Sequence, residues 1–348
     1  MSADLSTRYL GLELRCPVVA SAGPLTGELD SAVTIARAGA GALVMPSLWE
    51  EEVLAEELSL NRGLETGSEH FAEALTYFPA VNELLTAADR YGQTLSAIKQ
   101  AVEIPVIASL NASSAGGWVH YARELAAAGA DAIELNLYHV AADPAVTGAG
   151  IEARDLATIR AVRAEIALPL AVKLSPFYAS FANFGAAAVD AGADGLVLFN
   201  RFYQPELDMD RLAVAATVEL SSAWELRLPL RWLAILRPHL SGRASLAATS
   251  GVDTALDVVK ALAVGADVAM MTSALLRHGP GHVSTVIAEL TRWLDEREYV
   301  SCSQLRGSMS YANADDPAAF ERAQYHRILH SWTAPFQLSD SAPKNSAG

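Results

Sequence analysis

The chain is poor in cysteine: Cys16 and Cys302 are the only two in 348 residues. Two cysteines make no disulfide framework and no metal-ligand spacing. No apolar run approaches the ~18–20 residues that span a bilayer, and no signal-peptide pattern precedes the first apolar segment. A cytoplasmic chain with no membrane partner is therefore expected. Basic residues are outnumbered, 25 Lys and Arg against 40 Asp and Glu, for a net charge of −15. That balance argues against nucleic acid and against anionic lipid as partners. No Walker-type loop and no Gly-x-Gly-x-x-Gly opens a helix, so neither a nucleoside triphosphate fold nor a dinucleotide fold is indicated. The eight histidines are read as scattered, and no metal site is expected.

One phrase recurs four times: a helical stretch, then Gly-Ala or Ala-Gly-Ala, then a short apolar run ending in a polar residue. The copies span 32–47, 122–136, 184–200 and 255–273. Gly39, Gly129, Gly192 and Gly265 stand where a helix needs a left-handed stop. The apolar run behind each glycine lacks polar alternation and reads as a parallel strand buried on both faces. Further such runs lie at 16–20, 105–110, 169–174 and 244–249. Eight βα units in about 300 residues predict a closed (β/α)8 TIM barrel of class α/β. A doubly wound open sheet is the alternative.

The expected organisation is one domain over 1–337 with a disordered tail at 338–348. Two insertions interrupt the repeat, an acid-rich one at about 48–94 and another at about 201–236. The second carries an amphipathic stretch at 226–236. In a barrel, loops after the strands build the active site, so both insertions would form its walls or lid.

Residues at the strand C-termini converge on one mouth. That set is Ser21-Ala22-Gly23, Ser47, Asn111, Asn136, Lys173, Asn200, Ser250-Gly251 and Thr272-Ser273. It makes a polar, mostly uncharged mouth with one cation. The small polar pairs ending strands seven and eight suit a phosphate, although Ser and Thr also serve as plain helix caps. Lys173 lies in an apolar strand, where an ammonium carries a desolvation cost unless an anion or dipole meets it. It is positioned to neutralise negative charge developing on a bound aromatic cofactor, or to make a structural ion pair.

With those residues placed, the chain resembles the FMN-dependent dihydroorotate dehydrogenases, nearest their soluble class 1 branch. The resemblance runs from about Tyr9 to Met309. It is carried by Glu134-Leu-Asn136, Val172-Lys173-Leu-Ser-Pro176, Ser250-Gly251-Val252, Ser273-Ala-Leu-Leu-Arg-His-Gly-Pro280 and Arg306-Gly307. It implies FMN at the mouth, with its phosphate on strands seven and eight. Ser21, Ala22, Gly23 and Ser47 would belong to the cofactor site. Lys173 would face the flavin N1/O2 edge, Asn111 and Asn136 would contact the flavin, and Asn136 and Asn200 would reach the substrate. By the same resemblance a homodimer is expected, with the second insertion as its interface element.

The departures fall on the substrate side. Class 1 members follow the strand-four asparagine with Asn-x-Ser-Cys-Pro-Asn, whose cysteine is the base. Here the stretch reads Asn136-Leu-Tyr-His-Val-Ala141, so His139 replaces the cysteine and Ala141 the second asparagine. Imidazole can abstract protons near neutral pH, or His139 can be a loop residue bonded to backbone. The asparagine-rich loop after strand two has no counterpart at 74–82, and a lysine expected near that strand's end is Pro46.

Three functions stay open. The first is hydride transfer from dihydroorotate to flavin N5 in pyrimidine biosynthesis. The second is the same chemistry on a different small substrate. The third is a flavin-free accessory barrel that binds a phosphate ligand. The electron acceptor, or redox partner protein, is not identified by the sequence. No cysteine cluster can hold an iron–sulfur centre, so any such centre needs a partner subunit.

Overall fold

Each repeat turns the chain at a left-handed glycine. Gly39, Gly129, Gly192 and Gly265 have φ of +109°, +102°, +116° and +117°, a region that side chains with a Cβ enter only under strain. Two residues further on, three copies carry an aspartate. Its carboxylate accepts an N–H from the first or second residue of the preceding strand: Val106 to Asp131 at 2.7 Å, Leu170 to Asp194 at 2.8 Å and Leu246 to Asp267 at 2.8 Å. Each aspartate also pairs with a base on the helix leading into that strand, Lys99 at 2.6 Å, Arg163 at 2.9 Å and Arg237 at 3.2 Å. The first copy has Gly41 at this place, because a Cβ there would lie 2.2 Å from the Cys16 carbonyl oxygen. The recurring Gly-Ala-Asp is thus both a helix stop and a strap to the neighbouring strand.

The computed structural model describes residues 2–53, 55–56, 86–111, 118–201 and 204–331. Eight parallel strands close into a barrel in chain order: Val18–Ala20, Ala42–Trp49, Val106–Asn111, Ala132–Asn136, Leu170–Leu174, Gly195–Leu198, Ser245–Ala248 and Val268–Met271. They are called barrel strands one to eight below. The eighth pairs with the first through Ala269 and Val18, Met270 and Val19, and Met271 and Ala20. The expected (β/α)8 barrel is the observed fold. Strand two runs past Ser47 to Trp49, with a register shift between Val44 and Ser47 where Pro46 cannot donate to the ladder.

Strand alternation divides the core in two. One inward layer, including Val19, Val44, Ile107, Ala132, Ala171 and Val197, fills the barrel. An antiparallel hairpin, Thr7–Tyr9 with Leu12–Leu14, plugs its lower end with Tyr9, Leu10 and Leu14. A larger outward layer packs the strands against the helices, with Ile35, Leu95, Ile159, Phe184, Leu236 and Val258 at its centre.

The second insertion is shorter than its sequence suggests. A hairpin, Glu206–Asp208 with Ala213–Ala215, precedes helix Arg227–Leu240. The amphipathic stretch expected to form an interface is instead this barrel helix: Leu226, Leu233, Ala234 and Leu236 are buried against the protein's own core. Leu207, Met209, Leu212, Val214, Trp224 and Leu228 of the same insertion stay exposed. Most of the acid-rich insertion, at 57–85, and the tail at 338–348 lie outside the described residues. Among the described residues no helix is long and apolar enough to cross a membrane.

Candidate active site at the barrel mouth

Asn111, Asn136 and Lys173 stand in register on three neighbouring strands, Asn111 opposite Asn136 and Asn136 opposite Lys173. Adjacent strands lie ~4.8 Å apart, so the three head groups share one short arc. Alternation puts them on the same face as Ile107, Ala132 and Ala171, hence inside the barrel. All three are buried. Below them on that face is Glu134, 1% exposed, with Oε1 at 3.6 Å from the Lys173 Nζ. Neither Glu134 oxygen has a hydrogen-bond partner, and neither do Asn111 Nδ2 and Asn136 Oδ1. An unpaired buried polar group costs about 1–3 kcal/mol, so this arc leaves polar atoms that a ligand or water can pair. Glu134 sits in a signature motif, but sequence reasoning gave it no role.

The remaining strand ends are bound more tightly to protein. Ser47 Oγ lies 2.8 Å from Ser109 Oγ, and the Ser109 N–H donates to the Tyr91 hydroxyl at 2.9 Å. Asn200 donates its amide to the carbonyls of Leu137 and Lys173, at 3.1 and 3.2 Å. In this arrangement it ties strand six to the ends of strands four and five. A groove of about 330 Å³ opens beside it, lined by Phe177, Asn200, Arg201, Trp224, Arg227 and Ser250.

At strands seven and eight, Ser250 and Gly251 both adopt left-handed backbone, with φ of +71° and +75°. A Cβ on Gly251 would meet the Ser222 carbonyl at 2.5 Å, so only glycine fits. Ser221, from the second insertion, is the hub here. Its hydroxyl donates to Ser273 Oγ at 2.9 Å and accepts from the Gly251 N–H at 3.2 Å, and Arg277 donates to its carbonyl at 2.6 Å. Thr272 Oγ1 lies 3.2 Å from the Ser21 carbonyl and 3.3 Å from that of Ala22, and Ser250 Oγ donates to Phe199 at 3.3 Å. Gly23 is pressed against Thr272, whose Cγ2 would lie 2.4 Å from an added Cβ. The hydroxyls foreseen for a phosphate are thus engaged with protein. Ser221 was missed because no local spacing relates it to Gly251 or Ser273.

His139 follows strand four with Nε2 at 3.9 Å from Asp155 Oδ2. Burial lowers its pKa below the usual 6.5 and Arg154 adds to that, while Asp155 opposes them in raising it. Asp155 is itself buried and accepts the Tyr178 hydroxyl at 2.8 Å. The Tyr178 ring stacks on Phe184 at 3.7 Å, and burial pushes its phenol well above the usual range. The result is an imidazole whose burial favours its neutral form, beside a fixed carboxylate. The loop at 74–82 lies outside the described residues.

The histidines are not scattered. His278 and His282 stand four residues apart with ring centroids 4.6 Å apart, and His326 and His330 repeat that spacing at 4.2 Å. Asp253 joins the first pair in a set able to hold a metal ion. Both spacings are present in the sequence.

The chain is a (β/α)8 barrel with a buried ammonium and two unpaired amide atoms in register at its C-terminal mouth, the end where barrel enzymes carry their active sites. Residues 73–294 match the dihydroorotate dehydrogenase family, and the chain belongs to it. It is 25% identical over 311 residues to the catalytic subunit of dihydroorotate dehydrogenase B (NAD(+)) of Thermoplasma acidophilum, covering 88% of this chain and 98% of that one. It is 30% identical over 218 residues to the protein of the same description from Bacillus thuringiensis, covering 59% and 67%. With the family goes the reaction class, oxidoreduction at a CH–CH group.

Proposed function

We propose that this protein is an FMN-dependent oxidoreductase that keeps the family's cofactor site and has a remodelled substrate site. The observation that carries this is the arc of Asn111, Asn136 and Lys173, in register, with amide atoms unpaired beside a single ammonium. The pyrimidine edge of a flavin alternates carbonyl acceptors with a ring N–H. A free amide donor and a free amide oxygen match it, and the ammonium favours the anionic reduced ring. In this reading the phosphate lies against the backbone of Ser250 and Thr272-Ser273, since the hydroxyls there are engaged and the Gly251 N–H is held by Ser221. Ser21, Ala22, Gly23 and Ser47 form the adjoining wall.

A flavin held by these residues would supply hydride-accepting chemistry for a substrate C–H bond. Lys173 holds positive charge at the cofactor edge, and Glu134 at 3.6 Å keeps that ammonium in place. Asn136 orients the ligand, and Asn200 holds the strand ends that frame it. His139, whose burial favours the neutral imidazole, would take the proton from the neighbouring carbon, with Asp155 placed to stabilise the imidazolium that results. The enzyme is assigned to the cytoplasm, as a homodimer that passes its electrons to a redox partner.

Dihydroorotate fits this site poorly. Ala141 and Pro46 stand where the resemblance calls for an amide and a lysine. Two lost hydrogen bonds to a charged ligand, at about 1.5–3 kcal/mol each, lower affinity roughly 100-fold or more. The substrate is another small molecule with an oxidisable C–H bond. Anaerobic mixing of flavin-loaded protein with micromolar dihydroorotate tests this. No fast loss of visible flavin absorbance is expected. Rapid, saturable bleaching that is abolished in His139→Ala would restore the pyrimidine-pathway assignment.

A further inference from the structure

Asp253, His278 and His282 place one carboxylate oxygen and two imidazole nitrogens within 4.8 Å of one another. They come from two segments far apart in sequence. Asp253 lies two residues past Gly251 in the loop after strand seven. His278 ends the short helix Ser273–His278, and His282 begins helix His282–Glu296. Between the histidines, Gly279 at φ +83° turns the chain back, so that the second ring lies over the first.

Three observations point to a cation. Asp253 Oδ1 is buried, lies 3.8 Å from His278 Nε2 and has no hydrogen-bond partner. A buried acceptor without a hydrogen bond is costly, and besides His278 this oxygen meets only the Arg277 guanidinium at 3.5 Å among the described ion pairs. Next, His282 Nε2 lies 2.8 Å from the Asp253 carbonyl oxygen. Two acceptors cannot bond, so this ring nitrogen donates, an arrangement that in the neutral ring leaves the Nδ1 lone pair for a metal. A ring N–H bonded to a backbone carbonyl is how metal-binding histidines are fixed in orientation. Finally, two imidazoles and one carboxylate suit zinc and its divalent neighbours, whereas magnesium and calcium favour all-oxygen sets.

Arg277 is the competing cation, with Nη1 at 3.5 Å from Asp253 Oδ1. Its Nη2 is held by the Ser221 carbonyl at 2.6 Å, so it stays beside the site and weakens metal binding. We propose that Asp253, His278 and His282 form a divalent transition-metal site, with zinc the best match and water completing the coordination. The ion would tie the strand-seven loop that carries Gly251 to the start of helix His282–Glu296. None of its three ligands belongs to the arc on strands three to five, and Asp253 lies two residues past Gly251, beside the loop assigned to the phosphate.

The test is a zinc titration of chelator-treated, full-length protein by calorimetry, with cobalt(II) absorbance as a second readout. One zinc per chain is expected at this site, and cobalt should give the visible bands of an imidazole-bound ion. His278→Ala, His282→Ala and Asp253→Asn should each weaken that site at least about tenfold, as loss of one ligand does. His326→Ala, in the other histidine pair, should leave it unchanged. Circular dichroism shows whether each variant is folded, and His278→Gln replaces any that is not. Absence of stoichiometric zinc and of cobalt bands in the unaltered protein would overturn the proposal. So would equal affinity in folded His278 and His282 variants.

Discussion

The Lys173 ammonium lies 3.6 Å from Glu134 Oε1 at the floor of the barrel mouth, and neither oxygen of that carboxylate receives a hydrogen bond. Such a pair is a poor source of stability, because desolvation of both charges offsets their attraction. Its geometry makes sense as a fixed positive charge held beneath a ligand. The Tyr9 hydroxyl, from the hairpin plug, is also buried without a partner. Burial pushes its phenol well above the usual range, with the Glu134 and Asp267 charges adding to the shift.

Removing only the cation should therefore hurt more than removing both charges. Lys173→Ala leaves the Glu134 carboxylate buried and uncompensated, an expected loss of about 3–5 kcal/mol. Adding Glu134→Gln should recover most of it. Urea unfolding of the single and double variants measures this; equal losses in both would mean that the pair is not coupled.

The same lysine should set the redox behaviour of the cofactor. In Lys173→Ala the reduction potential of bound FMN should fall, and reduction by dithionite should slow. FMN affinity should drop much less, because the phosphate is assigned to strands seven and eight. An unchanged potential would leave Lys173 a purely structural residue.

The aspartate straps predict a ranking. The Asp267 side chain is 7% exposed and pairs with both Arg237 and Arg306, whereas those of Asp131 and Asp194 are 26% and 48% exposed. Asp267→Ala should cost about 3–5 kcal/mol, since it strands two partly buried guanidinium groups. Asp194→Ala should cost about 1 kcal/mol, because solvent screens its ion pair. Thermal unfolding gives the order, and a larger loss for Asp194 would contradict it.

Proton transfer by His139 has a definite pH signature. The base must be neutral, so the rate should fall as pH drops through its lowered pKa, placing the acid limb below 6.5. Asp155 is the influence raising that pKa, so Asp155→Asn should move the limb to still lower pH. Stability follows the same sign. The unfolded chain binds this proton first as pH falls below about 6.5, so the folded state weakens there. A rate profile unmoved by Asp155→Asn would remove His139 from the role of base.

Much of this was legible in the sequence because the repeat is local. The four glycines mark helix ends, and the apolar runs behind them are the barrel strands within a residue or two. The polar residue closing each run sits at the mouth, which is why Asn111, Asn136 and Lys173 were found. What stayed hidden depends on tertiary approach. Ser221 meets Gly251 and Ser273 across 30 and 52 residues, and Asp155 reaches His139 from the following helix. The straps of Asp131, Asp194 and Asp267 were printed in each repeat, but their partners lie on the preceding strand and helix. The amphipathic 226–236 stretch left its place open in sequence, because a barrel helix and an interface helix share one pattern. His278 and His282 were visible as a spacing, and only their approach to Asp253 makes them a cluster.

The central claim is that the arc of Asn111, Asn136 and Lys173 holds FMN. Heat-denaturing the purified protein and identifying the released chromophore tests it most directly, with the apoprotein titrated by FMN in parallel. Release of FMN, or saturable FMN binding weakened in Asn111→Ala, is the expected result. A colourless protein that releases no FMN and binds none when it is added would contradict the account.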